Sequence, residues 1–191
     1  MRSVRLSGDV VVRSQPVPLD VRAWRLLWRE LIEYLRRGLG LEIPRDVGLY
    51  LLDAGQLAYR TGWSPMAPSR VLGCCVNWNA WNARSSVLVD QSLSLELASE
   101  VLAHELAHVW QARHCPREQS EAMREGFAQW VAFRYCASKG FARQQHEMRQ
   151  RDGVKGQGLR RLLAIEHVLG SPAIVARVRS ARRLREVAGL S

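Results

Sequence analysis

Ala103-His104-Glu105-Leu106-Ala107-His108, set in an apolar run from Ser94 to Trp110, restricts this chain more than any other stretch. In a helix each residue advances about 100°, so His104 and His108 fall about 40° apart, one turn from each other on one face. Glu105 lies about 60° round from His108. Two imidazoles in that relation reach one cation, and the carboxylate beside them reaches a water on that cation. That mechanical fit is why HExxH on a helix is a zinc signature. Leu97, Val101, Leu102, Leu106 and Val109 supply the apolar side of the expected helix, Leu93 to Arg113.

A catalytic zinc needs a third protein ligand and an open position. Two residues compete for that place. His114 follows His108 at the interval used by HExxHxxGxxH sites, but Gln111 stands where that pattern needs a chain-bending glycine. On an unbroken helix His114 points about 120° away from His108. Glu125 is the better candidate. It opens Glu125-Gly126-Phe127-Ala128-Gln129-Trp130 on a second helix, expected from Arg117 to Ser138 after the break at His114-Cys115-Pro116. Gly126 removes a side chain where that helix is expected to approach the motif helix closely.

The surrounding chain reads as α+β. Asp20 caps a helix from Val21 to Arg37 that carries Trp24, Leu27, Trp28, Leu31, Tyr34 and Leu35 at helical spacing and stops at Gly38 and Gly40. Val47–Asp53, Val71–Trp78 and Ser85–Gln91 read as strands, the last two antiparallel and joined through Asn77-Trp78-Asn79-Ala80-Trp81-Asn82. Ala54 to Arg70, with Gly55, Gly62, Pro65 and Pro68, reads as an extended loop. The chain past Phe141 is helix-rich, with breaks expected at Asp152–Gly158 and Gly170-Ser171-Pro172. Residues 1–13 alternate loosely, as a strand or an arm. With 191 residues, 47% of them hydrophobic and 24% charged, a single domain with a real core is expected. Its core is placed at about 45–170, its first helix at about 20–38 and a basic helical tail at about 157–188. The sheet, short and antiparallel or mixed, is expected to pack on the HExxH helix and the glutamate-bearing helix.

The motif and the Glu125 helix together resemble the gluzincin zinc peptidases. They are similar above all to the C-terminal peptidase domain of the plant DA-one growth-regulator family. That family's L-A-H-E-x-x-H-A-W resembles Leu102-Ala103-His104-Glu105-Leu106-Ala107-His108-Val109-Trp110. Its E-G-x-x-Q helix resembles Glu125-Gly126-Phe127-Ala128-Gln129, and its Y-G-x-G-F-R element resembles Lys155-Gly156-Gln157-Gly158-Leu159-Arg160, with Lys155 in the tyrosine's place. The resemblance covers about residues 70–170. It implies a small zincin-like fold, zinc on His104, His108 and Glu125, Glu105 as general base, and a peptide or protein substrate. The family's ubiquitin-binding and LIM modules have no counterpart here, because the chain holds no CxxC.

Beyond zinc, the reaction needs a donor for the developing oxyanion. Lys155 is the favoured candidate, with Arg160 and His146 behind it; Tyr135 lies ten residues past Glu125, about 15 Å along the same helix. His146 and His167 otherwise read as helix-surface histidines. Glu121 and Gln129, a turn either side of Glu125, are the nearest candidates to support the ligand histidines. Ser85–Gln91 is expected to be the edge strand that accepts an extended peptide, and Trp78, Asn79, Trp81 and Asn82 to line the cleft or pack beside it.

The formal charge of +10 leaves a competing reading open, a non-enzymatic basic protein that binds nucleic acid, or a degenerate metal-binding relative. No nucleic-acid motif accompanies the charge. Cys74, Cys75, Cys115 and Cys136 show no metal-ligand spacing, and neither a secretory leader nor a membrane span is evident, so a reduced, cytoplasmic protein without membrane contact is expected.

Overall fold

The computed structural model describes residues 19–62, 71–77 and 85–189. It opens with α1 (Val21–Leu39), capped by the Asp20 side chain on the Ala23 amide and closed by Gly40 at φ 67°. Trp24, Leu27, Leu31, Leu35 and Leu39 form its buried stripe, as their spacing predicts. Then come β1 (Gly48–Leu52), α2 (Ala54–Thr61), β2 (Gly73–Asn77) and β3 (Ser85–Asp90). Helix α2 corrects the loop expected from Ala54. Asp53 and Gln56 form a reciprocal capping box at its start, which gives a short, glycine-containing segment a helix end it would otherwise lack. The remainder of that loop, Trp78 to Arg84 and the first 18 residues lie outside the described residues.

The sheet is mixed, in the order β1-β3-β2. β1 runs parallel to β3 with Gly48 opposite Ser86, and β2 runs antiparallel with Cys75 opposite Val87. β3 is therefore paired on both sides. The expectation that Ser85–Gln91 forms the edge is wrong, because β1 returns in parallel to pair along its second side. Val87, Leu88 and Val89 are all buried, so the faces of the strand are covered as well. Among the described residues β2 is the edge on the side of the motif.

At the end of β3, Asp90 accepts hydrogen bonds from the Ser92 amide and hydroxyl, turning the chain into α3 (Leu95–His114), whose N-cap is Ser94. Its buried residues occur all round its circumference, so this is the central helix of the molecule. One flank of α3 meets β2 and β3 and another lies along α4 (Glu121–Ser138). Trp110, Phe127 and Trp130 form a run of ring contacts, with centroids 5.5 and 5.6 Å apart, that locks α4 onto α3.

The carboxy-terminal part is helical, with α5 (Ala142–Gln150), α6 (Gly153–Leu169), α7 (Ser171–Val178) and α8 (Leu184–Val187). The break expected over Asp152–Gly158 shrinks to a tight corner at Arg151–Asp152, and the glycines beyond it are helical. Their absent side chains are used for contact. A Cβ on Gly156 would lie 1.6 Å from the Arg151 carbonyl oxygen, and one on Gly158 would lie 2.5 Å from the Gly126 Cα. Gly126 thus serves a close approach, as expected, but to α6 rather than to the motif helix. No helix among the described residues is long and apolar enough to cross a membrane. The four cysteines are free thiols.

Candidate metal centre

His104 and His108 project from α3 and Glu125 from the second turn of α4. Their ligand atoms lie within 4.8 Å of one another, forming a group able to hold a metal ion. His104 Nε2 and His108 Nε2 are 3.1 Å apart, and the Glu125 oxygens lie 3.3 Å from the first and 3.4 Å from the second. Donors bound at about 2.0–2.1 Å to a tetrahedral ion are separated by about 3.3–3.4 Å. The donor set and its spacing therefore fit a four-coordinate ion with one position left over. His114 does not join them. It ends α3 tilted against Trp110, with centroids 5.2 Å apart.

Protonation states agree with that fit. Burial, then the neighbouring His104, pushes the His108 imidazole down to about 4, so its ring is neutral near pH 7 as a ligand requires. Burial alone would raise Glu125, but the His104 hydrogen bond and the nearby His108, His104 and Lys155 outweigh it and bring the carboxyl down to about 2. It is a carboxylate throughout the working range of proteins.

The tautomer of His108 follows from groups that have no choice of polarity. The carbonyl oxygens of Val178 and Ala181 accept from Gln119 Nε2 at 3.1 and 2.9 Å, so the Gln119 oxygen faces the other way. It accepts from Gln111 Nε2 at 3.3 Å, and the Arg124 carbonyl accepts from the same nitrogen. Gln111 Oε1 is thereby turned onto His108 Nδ1 at 3.0 Å. An oxygen there requires the proton on Nδ1, which leaves the Nε2 lone pair facing the metal group.

Glu105 is buried beside this group. Burial raises its carboxyl above the usual range, against the opposing pull of His104, Lys155 and the Cys75 backbone amide. Gly73 makes room for it. A Cβ there would meet Val101 Cγ1 at 2.5 Å and Glu105 Cγ at 3.3 Å, so only glycine lets β2 rest so close to α3. From the far side, Lys155 in the first turn of α6 brings its Nζ to 3.5 Å from Glu125 Oε2. The Gly126–Gly158 crossing brings it there, since Lys155 lies one turn from Gly158 and Glu125 is next to Gly126.

The other sequence candidates are elsewhere. Arg160 donates to the Arg149 and Arg151 carbonyls and holds the α5–α6 corner. Tyr135 is buried edge-on against Tyr34, with centroids 5.3 Å apart. His146 and His167 are exposed on α5 and α6, and Glu121 is exposed at the start of α4. Gln129, expected to support a histidine, donates instead to Glu100 at 2.9 Å. Trp78, Asn79, Trp81 and Asn82 lie outside the described residues. Gln111, Gln119, Glu100 and Arg151 are additions that the sequence reading did not make. Glu100 and Gln111 carried a signal, at four residues before His104 and three after His108, on the ligand face.

No protein-family model matches the chain, and neither a curated protein nor a solved structure matches it significantly.

Proposed function

We propose that this chain is a zinc-dependent peptidase of the gluzincin type, with His104, His108 and Glu125 as ligands and Glu105 as general base. The observation that carries the reading is the convergence of two imidazoles and a carboxylate on one point beside a second, buried carboxyl whose pKa is raised. Zinc in this group would supply a Lewis acid and an acidified water.

The chain's own residues then have distinct tasks. Glu105 takes the proton of the attacking water and returns it to the leaving amine, a transfer favoured by a carboxyl whose pKa lies nearer neutrality than usual. Lys155 offers an ammonium to the carbonyl oxygen as it gains charge. Val71, Leu72 and Gly73 line a cleft of about 500 Å³ that also opens on His104, Glu105 and Lys155. An extended peptide entering it meets the edge of β2, which replaces Ser85–Asp90 as the strand available for pairing.

Metal analysis of the purified chain beside Glu125→Ala, His114→Ala and Glu105→Gln tests this. About one zinc per chain is expected in the wild type, His114→Ala and Glu105→Gln, and none in Glu125→Ala. Peptide cleavage is expected in the first two alone. Zinc kept by Glu125→Ala would overturn the ligand set. Stoichiometric zinc without cleavage of any peptide in a broad library would overturn the peptidase reading and leave a metal-binding relative.

A further inference from the structure

We propose that the cleft beside His104 reads a carboxylate, with Arg151 as the specificity-determining residue. The substrate class is then a peptide with an anionic group within one residue of the bond that is cut. The inference rests on the peptidase reading for what happens to the ligand, but not for its binding.

Glu100 lies one turn before His104 on the same face of α3, about 6 Å along the axis. Its side chain is 5% exposed and both oxygens are saturated. Oε1 accepts from Gln129 Nε2 and Arg151 Nη1, and Oε2 accepts from Gln144 Nε2 and Arg151 Nη2. A two-pronged bond of this kind fixes the plane of a guanidinium, which has five N–H groups. Glu100 uses two of them. Among the described residues the Arg151 guanidinium makes no other hydrogen bond, and the side chain, 37% exposed, lines the cleft. Arg151 is thus an immobilised arginine with donors left over, facing a cavity.

The rest of the lining agrees. Lys155 is a second cation, 44% exposed. The carboxylates present are Glu100, which is saturated, and Glu105, which is the proposed base. Among the described residues of this lining a substrate ammonium group has no free carboxylate to meet. Val71, Leu72, Leu97 and Val101 are apolar neighbours that lower the polarity around a charge-assisted bond. Glu100, which holds Arg151, leaves α3 one turn, about 6 Å, from His104, a separation that one or two extended residues at about 3.3 Å each can span.

Two sources offer the same chemistry, an Asp or Glu side chain and the chain's own terminal carboxylate. The zinc-loaded full chain is given peptide mixtures made in matched pairs, Glu against Gln at each position and free acid against amide at the C-terminus. Cleavage is mapped by mass spectrometry. Bonds within one residue of a carboxylate should be cut about tenfold faster or more than their amide partners, and which pair responds names the source. The preference should vanish in the Glu100→Gln, Arg151→Gln double variant, which removes the pair without stranding a buried charge, and return in part with Arg151→Lys. Equal rates within both pairs overturn the proposal. In parallel, calorimetry of the same acid and amide peptides on zinc-loaded Glu105→Gln reads binding without turnover. Tighter binding of the acid that survives the double variant would mean direct ligation of the metal and would also overturn it. Acid-selective, Arg151-dependent binding with no cleavage by wild type would leave the carboxylate site standing and the peptidase reading refuted. The substrate-side comparison needs no variant, so it decides the matter even where the double variant fails to fold.

Discussion

Substituting Gly158 by alanine tests how the far wall of the site is held. The added Cβ would sit 2.5 Å from Gly126 Cα, 3.1 Å from the Ala122 carbonyl oxygen and 3.2 Å from Gly126 N, all backbone atoms of α4. No side chain can swing away to accept it. Carbon atoms in ordinary contact are about 3.5–4.0 Å apart, so α6 must retreat from α4 by about 1 Å. Overpacking of this kind costs about 1–3 kcal/mol. Alanine returns close to 1 kcal/mol of helix propensity, for a net loss of up to about 2 kcal/mol. At this chain length that corresponds to a drop in Tm of up to about 8 °C. The retreat carries Lys155 with it, stretching the 3.5 Å contact with Glu125. Thermal unfolding by circular dichroism measures the first effect. A double-mutant cycle with Lys155→Met, read in peptide hydrolysis, measures the second. Lys155→Met should matter far less in the Gly158→Ala background. An unchanged or raised Tm, together with an undiminished effect of Lys155→Met, would refute the idea that this crossing sets the lysine's position.

Two further outcomes follow from the buried polar groups. Burial pushes the Glu100 carboxyl up, but the hydrogen bonds and charge of Arg151, with Gln129 and Gln144, more than offset it and hold the group below its ordinary value. The native state therefore binds fewer protons than the unfolded chain in acid. The stability this group contributes is complete above about pH 4.3, its unfolded value, and is lost as pH falls through the lower folded value. Glu100→Gln should flatten that acid limb in urea unfolding followed from pH 6 to pH 3. Breaking a fully buried pair costs about 3–5 kcal/mol, reduced here to about 2–3 kcal/mol because Arg151 is 37% exposed. An unaltered acid limb would count against the network. Gln111→Met removes the acceptor from His108 Nδ1. Metal affinity, measured by chelator competition, should weaken by about 10–100-fold, and wild-type affinity would remove the amide chain from the account.

The first helix, the motif helix and the Glu125 helix were legible because their signals are local. Asp20 and Gly40 mark ends by their own hydrogen bonds or backbone conformation, and HExxH fixes a face by spacing alone. Glu125 was found for the same reason, from a short buried segment that begins with a carboxylate. What escaped was strand order and everything that depends on it. β3 looks the same in sequence whether its second neighbour is water or β1, and only the parallel pairing of residues separated by the whole of α2 and β2 decides. The partner of Gly126 escaped similarly. Glycine announces that something comes close, not what, and Gly158 lies three helices' worth of chain away from the expected neighbour. Arg151 gave no signal, because its role depends on a corner that brings α5 and α6 back to the start of α3.

The chain of amides from Val178 and Ala181 to His108 has a thermodynamic reading as well as a structural one. Coupling between two sites is reciprocal. Whatever free energy the carboxy-terminal helices contribute to holding a metal ion, by fixing the imidazole that receives it, the ion returns to those helices by favouring the state in which Gln119 is docked. Occupancy of the centre is thereby linked to the integrity of a surface segment some seventy residues further along the sequence, with α7 neither touching the ion nor needing to move.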